Sequence, residues 1–210
     1  MYLPDAFTVT APAEIDSLLS QARLFTLVTH GGQGLFASPL PMIHVPGSGL
    51  LKGHLARANP HRERADRGDQ ALLIAPLSDA YVSPSWYASK AEHGRVVPTW
   101  NYEAVQVYGR VSWIDDPAWL LELVTALTDR FEAGREAPWS VDDAPEAYVR
   151  GQLRGIVGVE VRIERIEAKR KLSQNRSAAD RLGVASGLAA SPDPLDRQVA
   201  EAMGERPAEA

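Results

Sequence analysis

From Tyr102 to Ile114 the chain alternates. Val105, Val107, Gly109, Val111 and Trp113 fall on one side, and Gln106, Tyr108, Arg110 and Ser112 on the other. A period of two held over so long a stretch belongs to a β-strand with one covered face. Shorter strand signals recur around it. Leu24 to His30 reads as a strand and Gly31-Gly32-Gln33-Gly34 as its turn. Leu35 to Val45 continues in extended form, where Pro39 and Pro41 lack the N–H of a central ladder and mark an edge or a bulge. Pro46-Gly47-Ser48-Gly49 closes a hairpin onto Leu50–Leu55, and Gln70–Leu77 and Ile156–Ile166 complete the set.

Helix signals sit between these strands. Ala13–Ala22 places Ile15, Leu18 and Leu19 on one face. Asn59-Pro60 supplies a cap residue and a first-turn proline for a helix expected to stop at Gly68. Asp116-Pro117 repeats that signal before Leu120, Leu123, Val124, Leu127 and Phe131, with an end near Gly134. A further helix is expected over Pro145–Leu153. Strands outnumber helices and turns come at short intervals, so the expectation is a mainly β (α+β) chain: an antiparallel barrel with peripheral helices.

Composition narrows the chemistry. The 210 residues are 45% apolar and 23% charged, ordinary values for a globular protein. No apolar run approaches the roughly 20 residues that span a bilayer, so no membrane is expected. Asp5 and Glu14 stand where a signal peptide would be basic and then apolar, which points to the cytoplasm. The absence of cysteine removes disulfides and thiolate metal sites. His30, His44, His54, His61 and His93 show no ligand spacing, so no metal is expected. There is no G-x-S-x-G elbow, dinucleotide fingerprint or Walker loop. A net charge of −5 argues against a broad nucleic-acid footprint.

Four polar segments carry the remaining signal. Lys171-Leu172-Ser173-Gln174-Asn175-Arg176 packs two cations, a hydroxyl and two amides together, which suits a phosphate and a flat heterocycle at once. The others are Gly53-His54-Leu55-Ala56-Arg57-Ala58-Asn59-Pro60, Tyr81-Val82-Ser83-Pro84-Ser85-Trp86-Tyr87 and Val97-Pro98-Thr99-Trp100-Asn101-Tyr102, each at the end of an apolar run. With the opening Met1-Tyr2-Leu3-Pro4-Asp5-Ala6-Phe7, and with Gly155–Glu160 and Asp180–Val184, they resemble in order the PaiB-type family of the FMN-binding split-barrel superfamily. The resemblance runs from Met1 to about Leu188.

That resemblance implies a split β-barrel over residues 1–188, FMN as cofactor, and a homodimer formed through the Tyr102–Ile114 strand with Trp100 and Tyr108. It places phosphate contacts at Lys52, His54, Arg57 and Asn59, where the helix after Pro60 would add its N-terminal amides. Lys52 and His54 lie two apart on one strand and share a face. Ser83, Thr99, Trp100 and Asn101, with Trp86 and Tyr87 beside them, offer apolar surface and hydrogen bonds to a flavin ring. Trp86 and Trp100 serve equally well as core or interface residues, and Lys90 points either to flavin or to solvent. Lys171, Ser173, Gln174, Asn175 and Arg176 are expected to close over the cofactor, Gln174 and Asn175 meeting the ring.

By the same resemblance the leading role is negative transcriptional regulation, through flavin or a protein partner. The charge argues against direct DNA contact, and no helix-turn-helix with a basic recognition helix is present. A flavin-dependent oxidoreductase acting on a small molecule is the alternative. Residues 189–210 carry no motif. Only Leu195–Met203 suggests a short helix there, the last six residues are expected to be disordered, and removal from Ala189 onward is expected to leave flavin binding intact.

Overall fold

The computed structural model describes residues 1–65 and 70–204. In chain order it contains β1 (Thr8–Val9), α1 (Pro12–Gln21), β2 (Phe25–Gly31), β3 (Gly34–Leu40), β4 (Met42–Val45) and β5 (Leu50–Ala56). Then come α2 (His61–Arg64), β6 (Gln70–Val82), α3 (Ser89–His93), β7 (Thr99–Ile114), α4 (Pro117–Glu132) and α5 (Glu146–Leu153). The chain ends with β8 (Ile156–Lys171), α6 (Ala178–Ala189) and α7 (Pro194–Gly204). The strands follow the order β3-β2-β6-β7-β8-β5-β4, with β1 paired to β8. Two compact units emerge. The first comprises the described residues of Met1–Leu18, Pro76–Val105 and Glu167–Ala210, and the second those of Leu19–Ala75 and Gln106–Ile166.

The second unit holds the hairpins read from sequence. β2 pairs antiparallel with β3 from Phe25↔Leu40 to Gly31↔Gly34, and β4 with β5 from Met42↔Gly53 to Val45↔Leu50. Strands β3 and β4 stand at opposite ends of the sheet order, yet Pro41 alone separates them. In a flat sheet those two edges would lie about 29 Å apart, at about 4.8 Å per strand. One residue cannot cover that distance, so the sheet must curl until its edges meet. Pro39 lies on the edge strand β3, as its missing N–H requires. β6 outruns the expected end at Leu77 and contains Pro76, which is tolerated because the β2 ladder ends at Thr26↔Ile74.

Helix α4 starts as the sequence indicates. The Asp116 carboxylate accepts from the N–H groups of Ala118 (2.8 Å) and Trp119 (3.4 Å), and Leu120, Leu123 and Leu127 are buried. The helix after Pro60 does not develop as expected. It spans four residues, His61–Arg64, and the expected stop at Gly68 lies outside the described residues. Asn59 Oδ1 still accepts from the His61 N–H at 3.0 Å, but one turn of helix supplies almost no dipole. His61 is completely buried. Its Nδ1 lies 2.9 Å from Ser38 Oγ and its Nε2 lies 3.0 Å from Thr29 Oγ1, between the rings of Phe36 and Trp113.

Burial lowers the pKa of His61, and of the half-buried His54, below the ordinary histidine value of 6.5. The unfolded chain therefore binds more protons than the folded one just below that value. Stability should be fully present above pH 6.5 and fall as acid reaches the lowered pKa values. Urea midpoints measured on either side of 6.5 check this, and His61→Gln should flatten part of the slope.

The first unit has its own core. Ala80, Val82, Tyr87, Leu172, Val184, Leu188, Val199, Ala202 and Met203 pack together, with Trp86 against them. Helix α6 can receive Trp86 because Gly183 and Gly187 lack side chains. A Cβ at Gly183 would strike the Trp86 carbonyl, and one at Gly187 would fall 2.5 Å from the indole ring. Trp86 is therefore a packing residue. The short helix expected at Leu195–Met203 is α7, Pro194–Gly204, and it buries Val199, Ala202 and Met203 in this core. The last six residues, expected to be disordered, lie outside the described ones.

The core face of β7 does not end at Val105. Glu103 and Asn101 continue it and are buried, at 4% and 0% exposure. Glu103 Oε1 lies 2.7 Å from Arg170 Nε, and Glu103 Oε2 accepts from Ser78 Oγ at 2.8 Å. A buried carboxylate survives here because a guanidinium and a hydroxyl replace its water.

Candidate functional site

In the first unit the sequence-separated segments 99–101 and 169–176 converge. β8 continues beyond the expected end at Ile166 to Lys171, so Lys169 and Lys171 lie two apart on one strand. The Lys171 ammonium donates to Thr99 Oγ1 at 2.8 Å and to the Trp100 carbonyl, and lies 5.9 Å from the Phe7 ring centre. Lys169 donates to the Tyr2 carbonyl at 3.0 Å and sits 5.6 and 5.2 Å from the Tyr2 and Tyr102 rings. Arg176 lies 4.9 Å from the centre of the Tyr87 ring. Burial first, then the neighbouring charges of Lys169 and Arg176, push the Lys171 pKa down. Cations held over aromatic faces without a carboxylate partner are costly, and this is the kind of surface an anionic aromatic ligand relieves.

The loop that follows is shaped by its own side chains. Gln174 accepts from the Leu172 N–H at 2.6 Å and donates to the Arg170 carbonyl at 2.6 Å. Its amide is thus committed to the turn, whereas Asn175 is exposed. Ser173 takes a left-handed backbone, φ 62°, unusual for a residue with a side chain, and its Oγ donates to Asn101 Oδ1 at 3.1 Å. Asn101 Nδ2 in turn lies 3.6 Å from Met203 Sδ on α7. Asn101 and Ser173 therefore brace the loop. Ser83 caps the turn Pro84–Trp86 by accepting from the Ser85 N–H at 3.2 Å, and Lys90 donates to Ser85 Oγ at 3.1 Å. Tyr87 keeps a buried hydroxyl with no hydrogen-bond partner.

The residues expected around phosphate at 52–59 lie in the second unit and have other engagements. Arg57 donates to Asp115 Oδ1 at 2.6 Å and to the carbonyls of Arg154 (3.0 Å) and Ile156 (2.8 Å). Asp115 also takes Arg62 at 2.8 Å, and these two arginine contacts hold its carboxyl below the usual range. Asn59 donates to Ser38 Oγ at 3.1 Å. Lys52 lies 3.9 Å from Glu160 and 5.5 Å from the Trp119 ring centre. His54 Nδ1 is buried without a hydrogen-bond partner. Tyr2, Phe7 and Tyr102 lie in the segments that carry the resemblance but were not expected at the site, and Lys169 lies outside those segments; a strand continued to Lys171 puts Lys169 two residues from Lys171 on the same face.

A family described as "Putative FMN-binding domain" matches residues 1–165. The chain belongs to this FMN-binding family. FMN is the cofactor that membership assigns, and the cations, aromatic rings and unsatisfied Tyr87 hydroxyl of the first unit suit such a group. Beyond residue 165, similarity continues into the protease synthase and sporulation protein PAI 2 of Bacillus subtilis (strain 168), 32% identical over 208 residues, covering 98% of each chain. Among solved structures, the FAD and heme binding protein from Mycobacterium smegmatis superposes with a TM-score of 0.60 at 18% identity, covering 83% of this chain and 78% of that one. The conserved hypothetical protein Rv2991 from Mycobacterium tuberculosis gives 0.61 at 14% identity, covering 84% and 94%. The antiparallel split-barrel fold expected from sequence is therefore the fold of this family member.

Proposed function

We propose that this chain binds FMN on the first unit, at the surface formed by Thr99, Trp100, Lys171, Asn175 and Arg176, and acts as a regulator, the role that its resemblance to the PaiB-type family implies. The observation that carries this reading is the junction of segments 99–101 and 169–176 through Lys171, Thr99 and Trp100. Bound flavin would supply redox capacity by itself, without needing an acid–base pair from the protein. Thr99 and Lys171 would hold and orient it, and Trp100, 53% exposed, would cover an apolar edge. Regulation would then run through flavin occupancy or a protein partner, since the net charge of −5 disfavours contact with DNA phosphates.

Reconstitution with FMN should give a flavin absorption spectrum that stays with the protein through gel filtration. Thr99→Val should weaken retention several-fold by removing the hydroxyl that steadies Lys171. A protein that stays colourless with excess FMN contradicts the reading.

The same surface favours a second copy of the chain as partner. Tyr81 and Trp100 are exposed at 47% and 53% and meet edge to face at 6.0 Å, and Val97 is 64% exposed. Closed two-fold dimers are the commonest assembly for such patches. Tyr108, also expected at the interface, has the Arg165 guanidinium over its ring at 3.7 Å. Light scattering should return twice the chain mass, and Trp100→Arg should shift it toward monomer; a monomer mass for the unaltered protein would count against the dimer.

A further inference from the structure

We propose that the second unit carries a binding site for a free α-amino acid with an apolar side chain, in the groove between helix α4 and the β4–β5 hairpin. The proposal stands apart from the flavin reading: every residue of the groove belongs to the second unit, and the surface assigned to FMN belongs to the first. The groove encloses about 190 Å³. Its floor is the hairpin face opposite buried Met42 and Leu51, where Ile43 pairs with Lys52 and Val45 lies two residues on from Ile43. Its wall is α4, from which Trp119, Glu122, Leu123 and Ala126 project at intervals of three and four residues, along one side of the helix.

Trp119 is seated by a gap in β8. Gly158 has no side chain, and a Cβ there would fall 2.4 Å from the indole ring. Lys52 lies 5.5 Å from the centre of that ring and reaches Glu160 only at 3.9 Å, too far for a hydrogen bond. Among the described residues its ammonium donates no hydrogen bond, and exposed Glu122 on α4 pairs neither with Lys52 nor with another cation. A half-buried ammonium with donors to spare and a carboxylate without a partner thus line the same apolar groove.

Size and charge together select the ligand. A cavity of about 150 Å³ holds benzene, whereas drug-sized ligands need about 300–1,000 Å³. The groove therefore takes a body little larger than one aromatic ring and is too small to enclose a flavin. A lone carboxylate would leave Glu122 unpaired, and a lone amine would leave Lys52 without an acceptor. An α-amino acid supplies both groups, carboxylate to Lys52 and ammonium to Glu122, and brings no net charge with it. Its side chain would lie on Ile43, Val45, Leu123 and the Trp119 ring.

Titration of the full chain with L-leucine and L-phenylalanine, followed by NMR of the tryptophan indole N–H signals, tests this. The Trp119 signal, assigned as the one missing from Trp119→Phe, should shift with both amino acids and stay in place with glycine, which has no apolar body. By calorimetry leucine should bind more tightly than isoamylamine or isocaproate, each of which keeps the body and one of the charges. Lys52→Met should weaken leucine roughly 5- to 10-fold and leave isoamylamine unchanged, a modest effect because solvent screens a half-exposed pair. Glu122→Gln should weaken leucine to a similar degree and spare isocaproate. Ala126→Trp, at an exposed position of α4, should fill the groove and abolish binding with an unchanged melting curve.

A Trp119 signal unmoved by both amino acids, or leucine binding that survives Ala126→Trp unaltered, overturns the proposal. Isocaproate matching leucine, with Glu122→Gln silent, overturns the assignment to an amino acid. A protein that takes up no FMN yet still shifts Trp119 with leucine supports this site and contradicts the flavin reading alone.

Discussion

Ending the chain at Ser191, so that α7 is lost, is expected to unfold the first unit. Val199, Ala202 and Met203 are 0%, 9% and 4% exposed against Val184, Leu188, Tyr87 and Leu172. Fully burying a valine or methionine contributes about 1.5–3 kcal/mol, so Val199 and Met203 alone supply about 3–6 kcal/mol. That is a large share of the roughly 5–15 kcal/mol that stabilises a typical domain. The cut also strips Met203 from Asn101, which braces the loop ahead of Arg176. Near-UV circular dichroism and protease digestion should report a collapsed first unit, and Val199→Asp should reproduce much of the loss in the full-length chain. A truncated protein with an unchanged melting curve would show that α7 contributes little.

The second large effect is expected at Glu103. Glu103→Ala leaves Arg170, whose side chain is 8% exposed, without its 2.7 Å partner, and leaves Ser78 without an acceptor. Removing one member of a buried pair costs about 3–5 kcal/mol, most of it from the charge left behind. Glu14, at 3.7 Å and more exposed, can offset only part of this. Replacing both partners, as in Glu103→Leu with Arg170→Met, should recover most of the stability, because no buried charge then remains. Urea unfolding of the two single variants and the double gives the coupling directly. A double variant as unstable as the sum of the singles would mean that the pair is not the source.

These two sites show what the sequence hid. The alternation from Val105 to Trp113 revealed β7, and Asp116-Pro117 announced α4, because both signals are local. The start of β7 was obscured because its core face continues through polar Glu103 and Asn101, whose partners, Arg170 and Met203, are remote in sequence. The end of β8 reads as a charged turn, yet Lys169, Arg170 and Lys171 are strand residues matched to rings, a carboxylate and a hydroxyl. Arg57 looked available for a ligand since Asp115, 58 residues away, cannot be paired with it by inspection. Gln174 looked equally available, but its own turn uses both ends of its amide. The motif Lys171–Arg176 was legible; the division of labour within it was set by tertiary contacts.

Where the flavin lies is open to direct measurement. Backbone hydrogen exchange of the full chain, followed by mass spectrometry with and without FMN, reads every segment at once. Binding at the first unit predicts slowed exchange over residues 99–102 and 170–176, with residues 52–59 unchanged. Protection confined to residues 52–59, with the other two segments unaltered, would contradict the account.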